Sequence, residues 1–266
     1  MTPLLKWAGG KRWQVPLLQQ LWRRGRHKRL VEPFCGGLSV ALGLQPLEAM
    51  LNDVNEDLIN FHQQVRNGAD LSLTPWTREA YYEHRERFNN RRSTGIGVWG
   101  AEHAALFYYL NRFGFNGLCR YNKSGEFNVP VGRGAMPARP DFASYQTIME
   151  YWQFSSLDFE EVFLCAGDFV YCDPPYDAGF TNYAAGGFSW ADQMRLASWA
   201  MNHTGPMLIT NLATPRIVEL YHHHGFHCYE QIAPRRISSD GDRTAVREVL
   251  ATNFPIDLDG IMVLHS

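Results

Sequence analysis

A chain of 266 residues, 45% of them apolar, has material for one sizeable α/β domain or one domain carrying a large insertion. Its formal net charge of -2 speaks neither for nor against nucleic acid, so any such contact must come from local clusters. Five scattered cysteines (Cys35, Cys119, Cys165, Cys172, Cys228) without a Cys-x-x-Cys pair argue against a disulfide framework or a zinc site. No apolar run approaches membrane-spanning length and no secretory leader is evident, so a reducing cytoplasm is expected.

The opening stretch from Leu4 to Lys11 places Lys6, Trp7 and Lys11 around a Gly-Gly turn, ahead of a helix predicted over about 13–22. Lys11 can reach a carboxylate, but the Gly-x-x-x-x-Gly-Lys-Ser/Thr spacing of a phosphate loop is absent. By itself, the stretch is best taken as an exposed loop. From Leu30 to Val40 the pattern is a strand, then a Gly-rich turn at Phe34-Cys35-Gly36-Gly37, then a helix start. The spacing is not Gly-x-Gly-x-x-Gly, which disfavours a dinucleotide. A second strand ends at Asp53, placed to accept hydrogen bonds from ribose hydroxyls.

Between residues 61 and 150 the period changes. Helices are predicted over 76–88 and 102–113, with an Arg/Gly-rich link at 91–97. Residues 111–132 then mix glycine, asparagine, arginine and aromatics without a core-like period. Arginine can read guanine in a fork, and an aromatic can wedge into a base step; an ordinary β-hairpin accounts for the composition almost as well.

The α/β pattern resumes with a strand over 153–157 ending at Asp158-Phe159. A second strand, Phe169-Val170-Tyr171-Cys172, stops abruptly at Asp173-Pro174-Pro175-Tyr176. The prolines end the strand and stiffen its exit, at the sheet rim where open α/β folds bind ligands. A carboxylate and a backbone carbonyl can accept the two N–H bonds of a flat exocyclic amine, while a tyrosine face stacks on its ring. Such an amine is a poor nucleophile, so holding its lone pair towards a methyl donor is the chemistry that suits this loop. A strand that merely ends in a Pro-Pro turn weighs about as much. Ser189 and Asp192 then open a helix, 207–211 forms an inner strand, and Gly225 ends a helix at His222-His223-His224, without metal ligation. Strands near 228–232 and 248–254 flank a basic loop holding Arg235 and Arg243.

Five ordered blocks resemble the Dam family of DNA adenine-N6 methyltransferases, the D12 class with an Asp-Pro-Pro-Tyr motif. They are Lys-Trp-Ala-Gly-Gly-Lys, Glu-Pro-Phe-Cys-Gly-Gly, Asn-Asp-Val-Asn, Asn-Gly-Leu-Cys-Arg-Tyr-Asn with Phe-Asn-Val-Pro, and Asp-Pro-Pro-Tyr. The resemblance implies an α/β, Rossmann-like S-adenosylmethionine-dependent sheet formed by 1–60 and 151–266. An inserted, mostly helical target-recognition domain with a β-hairpin would occupy 61–150. S-adenosylmethionine would be held by Trp7, Lys11, Phe34, Cys35, Gly36, Asp53, Asp158, Phe159 and Asp173. Asp173 and Pro174 would bind the target amine, with Tyr176 stacked on an adenine drawn out of the duplex.

Double-stranded DNA is the implied partner. Lys6 and Arg120 would take guanines, with Leu118 and Pro130 beside a thymine and Phe115 and Asn116 bracing the gap. Asn122, Arg235 and Arg243 complete the expected DNA contacts. Phe115 stands where the family carries tyrosine, and Val131 to Ala135 lack the expected aromatics, which touches readout of the first base pair. The expectation is GATC methylation by a monomer, with no metal and no membrane. RNA adenine, a protein amide, or a catalytically silent DNA-binding regulator are the alternatives.

Overall fold

The computed structural model describes residues 1–25, 27–95, 99–133, 140–177, 187–234, 246–257 and 262–264. In chain order the elements are α1 Val15–Arg24, β1 Arg29–Glu32, α2 Ala41–Leu44, β2 Glu48–Asn52 and α3 Glu56–Arg66. Then come α4 Arg78–Thr94, α5 Ala101–Phe113, α6 Phe142–Ile148, β3 Trp152–Ser155 and β4 Asp168–Cys172. α7 Trp190–Met201, β5 Met207–Leu212, α8 Pro215–His223, β6 His227–Ala233, β7 Val246–Thr252 and β8 Met262–Val263 complete the order.

The strands form one eight-stranded sheet in the order β3-β2-β1-β4-β5-β7-β6-β8. The first five are mutually parallel, while β7 lies antiparallel between β5 and β6. This is the expected Rossmann-like α/β sheet. Alternation along each strand builds two cores. Leu30, Phe169, Tyr171, Leu208 and Leu250 face Leu18 and Leu21 of α1 on one side. Val31, Val170, Cys172, Ile209 and Val249 face Leu196 of α7 and Ile217 of α8 on the other. The order in which the chain adds strands reverses between β1 and β4, so their parallel carboxyl ends open the crevice where such sheets take ligands.

Residues 61–150 carry α4, α5 and α6, while α3 runs straight across residue 60. Phe61 of α3 stacks on Tyr108 of α5 at 5.6 Å, so this helical layer shares its core with the sheet. α4 extends to Thr94, through the arginines expected to form a link, because Arg91 and Arg92 favour helix and only Gly95 (φ 68°) stops it. The expected hairpin is reduced to two isolated antiparallel bridges, Gly114 to Val131 and Tyr121 to Phe127. Short α6 and the edge strand β8 were not anticipated. The Arg235–Arg243 loop, Gly134-Ala135 and most of the loop after Asp177 lie outside the described residues.

Candidate active site

The turn after β1 is built around Trp7. A Cβ at Gly36 (φ 48°) would sit 2.9 Å from Trp7 Nε1, and one at Gly37 would sit 2.8 Å from Trp7 Cβ. Glycine is therefore required here for both backbone angle and space. Asp53, at the exit of β2, closes the turn: Oδ2 accepts from Gly36 N at 3.0 Å and Oδ1 from Asn55 N at 3.0 Å. Each oxygen keeps a lone pair for a further donor such as a ribose hydroxyl. Cys35 lies buried behind this turn.

His62 of α3 braces the same turn from below. Its Nε2 lies 2.9 Å from the Gly36 carbonyl, which makes it the donor, and Nδ1 is buried without a partner. Burial pulls the imidazole from 6.5 to about 4. Between those values the unfolded chain binds a proton that the folded chain refuses, so stability falls as pH falls through that window. Taken from about pH 7.5 to about pH 5, the wild type should lose about 2 kcal/mol more than His62→Gln, measured by urea unfolding. Equal losses would remove His62 as the source.

An aromatic box stands beside the turn. Phe34 meets Phe159 at 5.5 Å and Phe188 at 5.7 Å, and Phe159 also packs on Trp199 at 5.8 Å. Phe188, which sequence reasoning passed over, supplies the third wall. Asp158 is exposed; its carboxylate caps Glu160 N at 3.1 Å and pairs with Arg195 at 2.8 Å. Its nearest obligations are thus to the protein rather than to a ligand.

At the exit of β4 the Asp-Pro-Pro-Tyr loop meets the N-terminal segment. Lys11, only 5% exposed, places Nζ 3.1 Å from Asp173 Oδ1, 3.0 Å from the Gly9 carbonyl and 3.9 Å from Glu248 Oε1. The same ammonium lies 4.6 Å over the Tyr176 ring, whose hydroxyl donates to Glu248 Oε2 at 2.7 Å. The Thr210 hydroxyl donates to Asp173 Oδ1 at 2.8 Å, and among the described residues no hydrogen bond reaches Oδ2. Among those residues, Asp173 keeps one oxygen available as an acceptor for a ligand. Pro174 is buried beside it, and Gln193 holds the loop by donating to the Pro175 carbonyl at 3.0 Å. Cys172 is buried, with its thiol pushed up by that burial, so it packs and is no nucleophile.

Glu248 and Thr210 were missed by sequence reasoning, although a lone acid opening the apolar run Glu248-Val249-Leu250-Ala251 was a visible signal. Burial drives Glu248 above the ordinary carboxylate range, opposed by Lys11. Glu32, at the end of β1, is pushed well above that range by burial, and its Oε1 has no partner. Among the described residues, Lys11 is the cation of this rim, against Asp173, Glu248 and Glu32.

The expected DNA-reading residues gather along 114–130 and Lys6. Asn111 stitches the two together: its Oδ1 accepts from Lys6 N at 2.9 Å, and its Nδ2 donates to Lys6 O at 2.8 Å and Gly117 O at 3.0 Å. Burial and the nearby Arg112 charge pull the Lys6 ammonium below its usual range. Phe115 is 46% exposed, and Asn116 follows it in a left-handed conformation (φ 53°). Leu118 is half-buried, Pro130 exposed, and Arg120 exposed with Nε on Asn128 Oδ1 at 2.8 Å. Asn122 is engaged locally, accepting from Ser124 N and Glu126 N at 3.0 and 2.9 Å. Among the described residues no group of three His, Cys, Asp or Glu is placed to hold a metal, and no helix is long and apolar enough to cross a membrane.

Residues 7–237 match the family described as D12 class N6 adenine-specific DNA methyltransferase. The chain is 38% identical over 265 residues to a DNA N-6-adenine-methyltransferase of Escherichia phage P1, covering 91% of this chain and 34% of that longer protein. It is 35% identical over 269 residues to the retron Ec67 DNA adenine methylase of Escherichia coli, covering 95% of this chain and 92% of the relative. A DNA adenine methylase of Salmonella typhimurium is 36% identical over 280 residues, covering 94% of this chain and 95% of the relative.

Proposed function

Because the chain belongs to the D12 class of N6 adenine-specific DNA methyltransferases, we propose that it methylates adenine N6 within GATC of duplex DNA after drawing the base from the helix. The methyl donor in this reading is S-adenosylmethionine. Its fit rests on the Gly36 turn with no room for a side chain, the Asp53 oxygens with spare lone pairs, and the box of Phe34, Phe159 and Phe188. Bound there, that group supplies an electrophilic methyl on a sulfonium.

The chain's own residues do the rest by positioning. Asp173 Oδ2 and the Pro174 carbonyl accept the two N6 hydrogens, which turns the nitrogen lone pair towards the donor side. Tyr176 stacks on the extruded ring. As the new C–N bond forms, the C–S bond breaks and N6 gives up one proton, for which the Asp173 carboxylate is the adjacent acceptor. Duplex readout falls to Lys6, Arg120 and the segment around Phe115. The observation that carries the reading is the Lys11–Asp173 pair at the β1/β4 crevice, with Tyr176 held beside it.

The test is labelled methyl transfer to duplexes carrying GATC, each single-base variant, a scrambled sequence and the same site as RNA. Transfer should fall by about 5- to 150-fold for a changed guanine, the range of one lost fork contact. Equal labelling of GATC and scrambled duplex would end the specificity claim. Preferential labelling of RNA would move the substrate.

A further inference from the structure

The geometry points to Glu248 as a positioning residue that sets the plane of the Tyr176 ring; we infer this on the basis of the extruded-adenine seat proposed above. Glu248 comes from β7, far along the chain from the Asp-Pro-Pro-Tyr loop. Register delivers it to the site: it pairs with Leu212 at the exit end of β5, beside Gln231 of β6. Val249 and Ala251 enter the α7/α8 core, so Glu248 faces the opposite side with Leu250, where Thr210 and Lys11 stand.

A carboxylate that is 8% exposed carries a large desolvation cost unless its oxygens are engaged. Both are, and both partners belong to the reacting centre. Oε2 accepts from the Tyr176 hydroxyl at 2.7 Å, and Oε1 faces Lys11 Nζ at 3.9 Å. Sheet pairing makes no use of the Glu248 side chain. Lys11 covers one face of the phenol at 4.6 Å, and the seat proposed above puts the base against the other. A ring anchored at its hydroxyl and covered on one face has a fixed plane. That plane decides how N6 is presented to Asp173 and the Pro174 carbonyl.

The experiment is a double-mutant cycle on single-turnover transfer to a GATC duplex. Glu248→Ala should slow transfer by about 30- to 100-fold, the scale of an ångström of misplacement, with duplex and donor affinities within about threefold. Tyr176→Phe deletes only the hydroxyl and should slow transfer comparably. The double variant should be no slower than the slower single, since both remove one bond. Glu248→Gln keeps an acceptor for the phenol and should return to within about fivefold of wild type. Where alanine does not fold, Glu248→Leu runs the same cycle. Single effects that multiply, or a glutamine variant as slow as alanine, would overturn the assignment. Wild-type fluorescence with 2-aminopurine at the target position tests the extruded seat separately: a missing rise sinks that reading, while the cycle still decides the role of Glu248.

Discussion

Replacing Asp173 by alanine should slow methyl transfer by about 10²- to 10³-fold, while duplex affinity stays within about threefold. The reason lies in what Asp173 does and does not touch. Oδ1 is tied to Lys11 and Thr210, and in the proposed reading Oδ2, unbonded among the described residues, receives an amine hydrogen. Losing that acceptor removes an interaction that strengthens as the nitrogen gives up its proton, so the rate suffers more than binding. The residues read as contacting DNA belong to a different layer, held by Asn111 and the Gly114 to Val131 bridge. Parallel measurements of single-turnover rate and duplex dissociation constant decide the matter. A variant that keeps turnover within tenfold would strip Asp173 of its role.

Lys11→Met should cost about 3–5 kcal/mol of stability near pH 8, because it leaves buried carboxylates facing one another without their cation. Glu248 is already held above the ordinary carboxylate range by burial, and Glu32 well above it. A raised folded-state value means that the acid takes up its proton earlier as pH falls. The repulsion uncovered by Lys11→Met then fades. Stability lost to the substitution should therefore be greatest in mild alkali and shrink towards acid pH. Urea unfolding of variant and wild type across that range measures it. A loss independent of pH would show that Lys11 acts by packing its methylenes and not by charge.

Much of the scaffold was legible because local chemistry and global position agree. The apolar run into Asp173-Pro174 can only be a buried strand that stops, and β4 ends at Cys172 as that requires. Ser189 and Asp192 form the reciprocal cap of α7 anticipated from their spacing. Where reading failed, competing local and distant forces decide. α4 overran its expected end because arginines sustain a helix as readily as they punctuate a loop. The bonds by which Asn122 satisfies its own turn were likewise not legible, a use of asparagine that residue type alone does not distinguish. Glu248 and Thr210 could not be placed beside Asp173 from sequence, since strand order and register bring them there across long separations. The segment around Phe115 was legible as irregular, not as the two single bridges that shape it.

The short run from Lys6 to Lys11 has a mechanical corollary. One end is clasped by Asn111 in the helical layer, and the other lies between Asp173 and Glu248 at the rim of the sheet. Five peptide steps span at most about 17 Å, the length of roughly five stacked base pairs. The strap thus acts as a ruler: it forbids the two ends from drifting apart by more than half a turn of duplex. In the proposed reading, sequence readout and bond-making are thereby geared to one fixed gauge, with little freedom to engage letters at one place and modify a base at another.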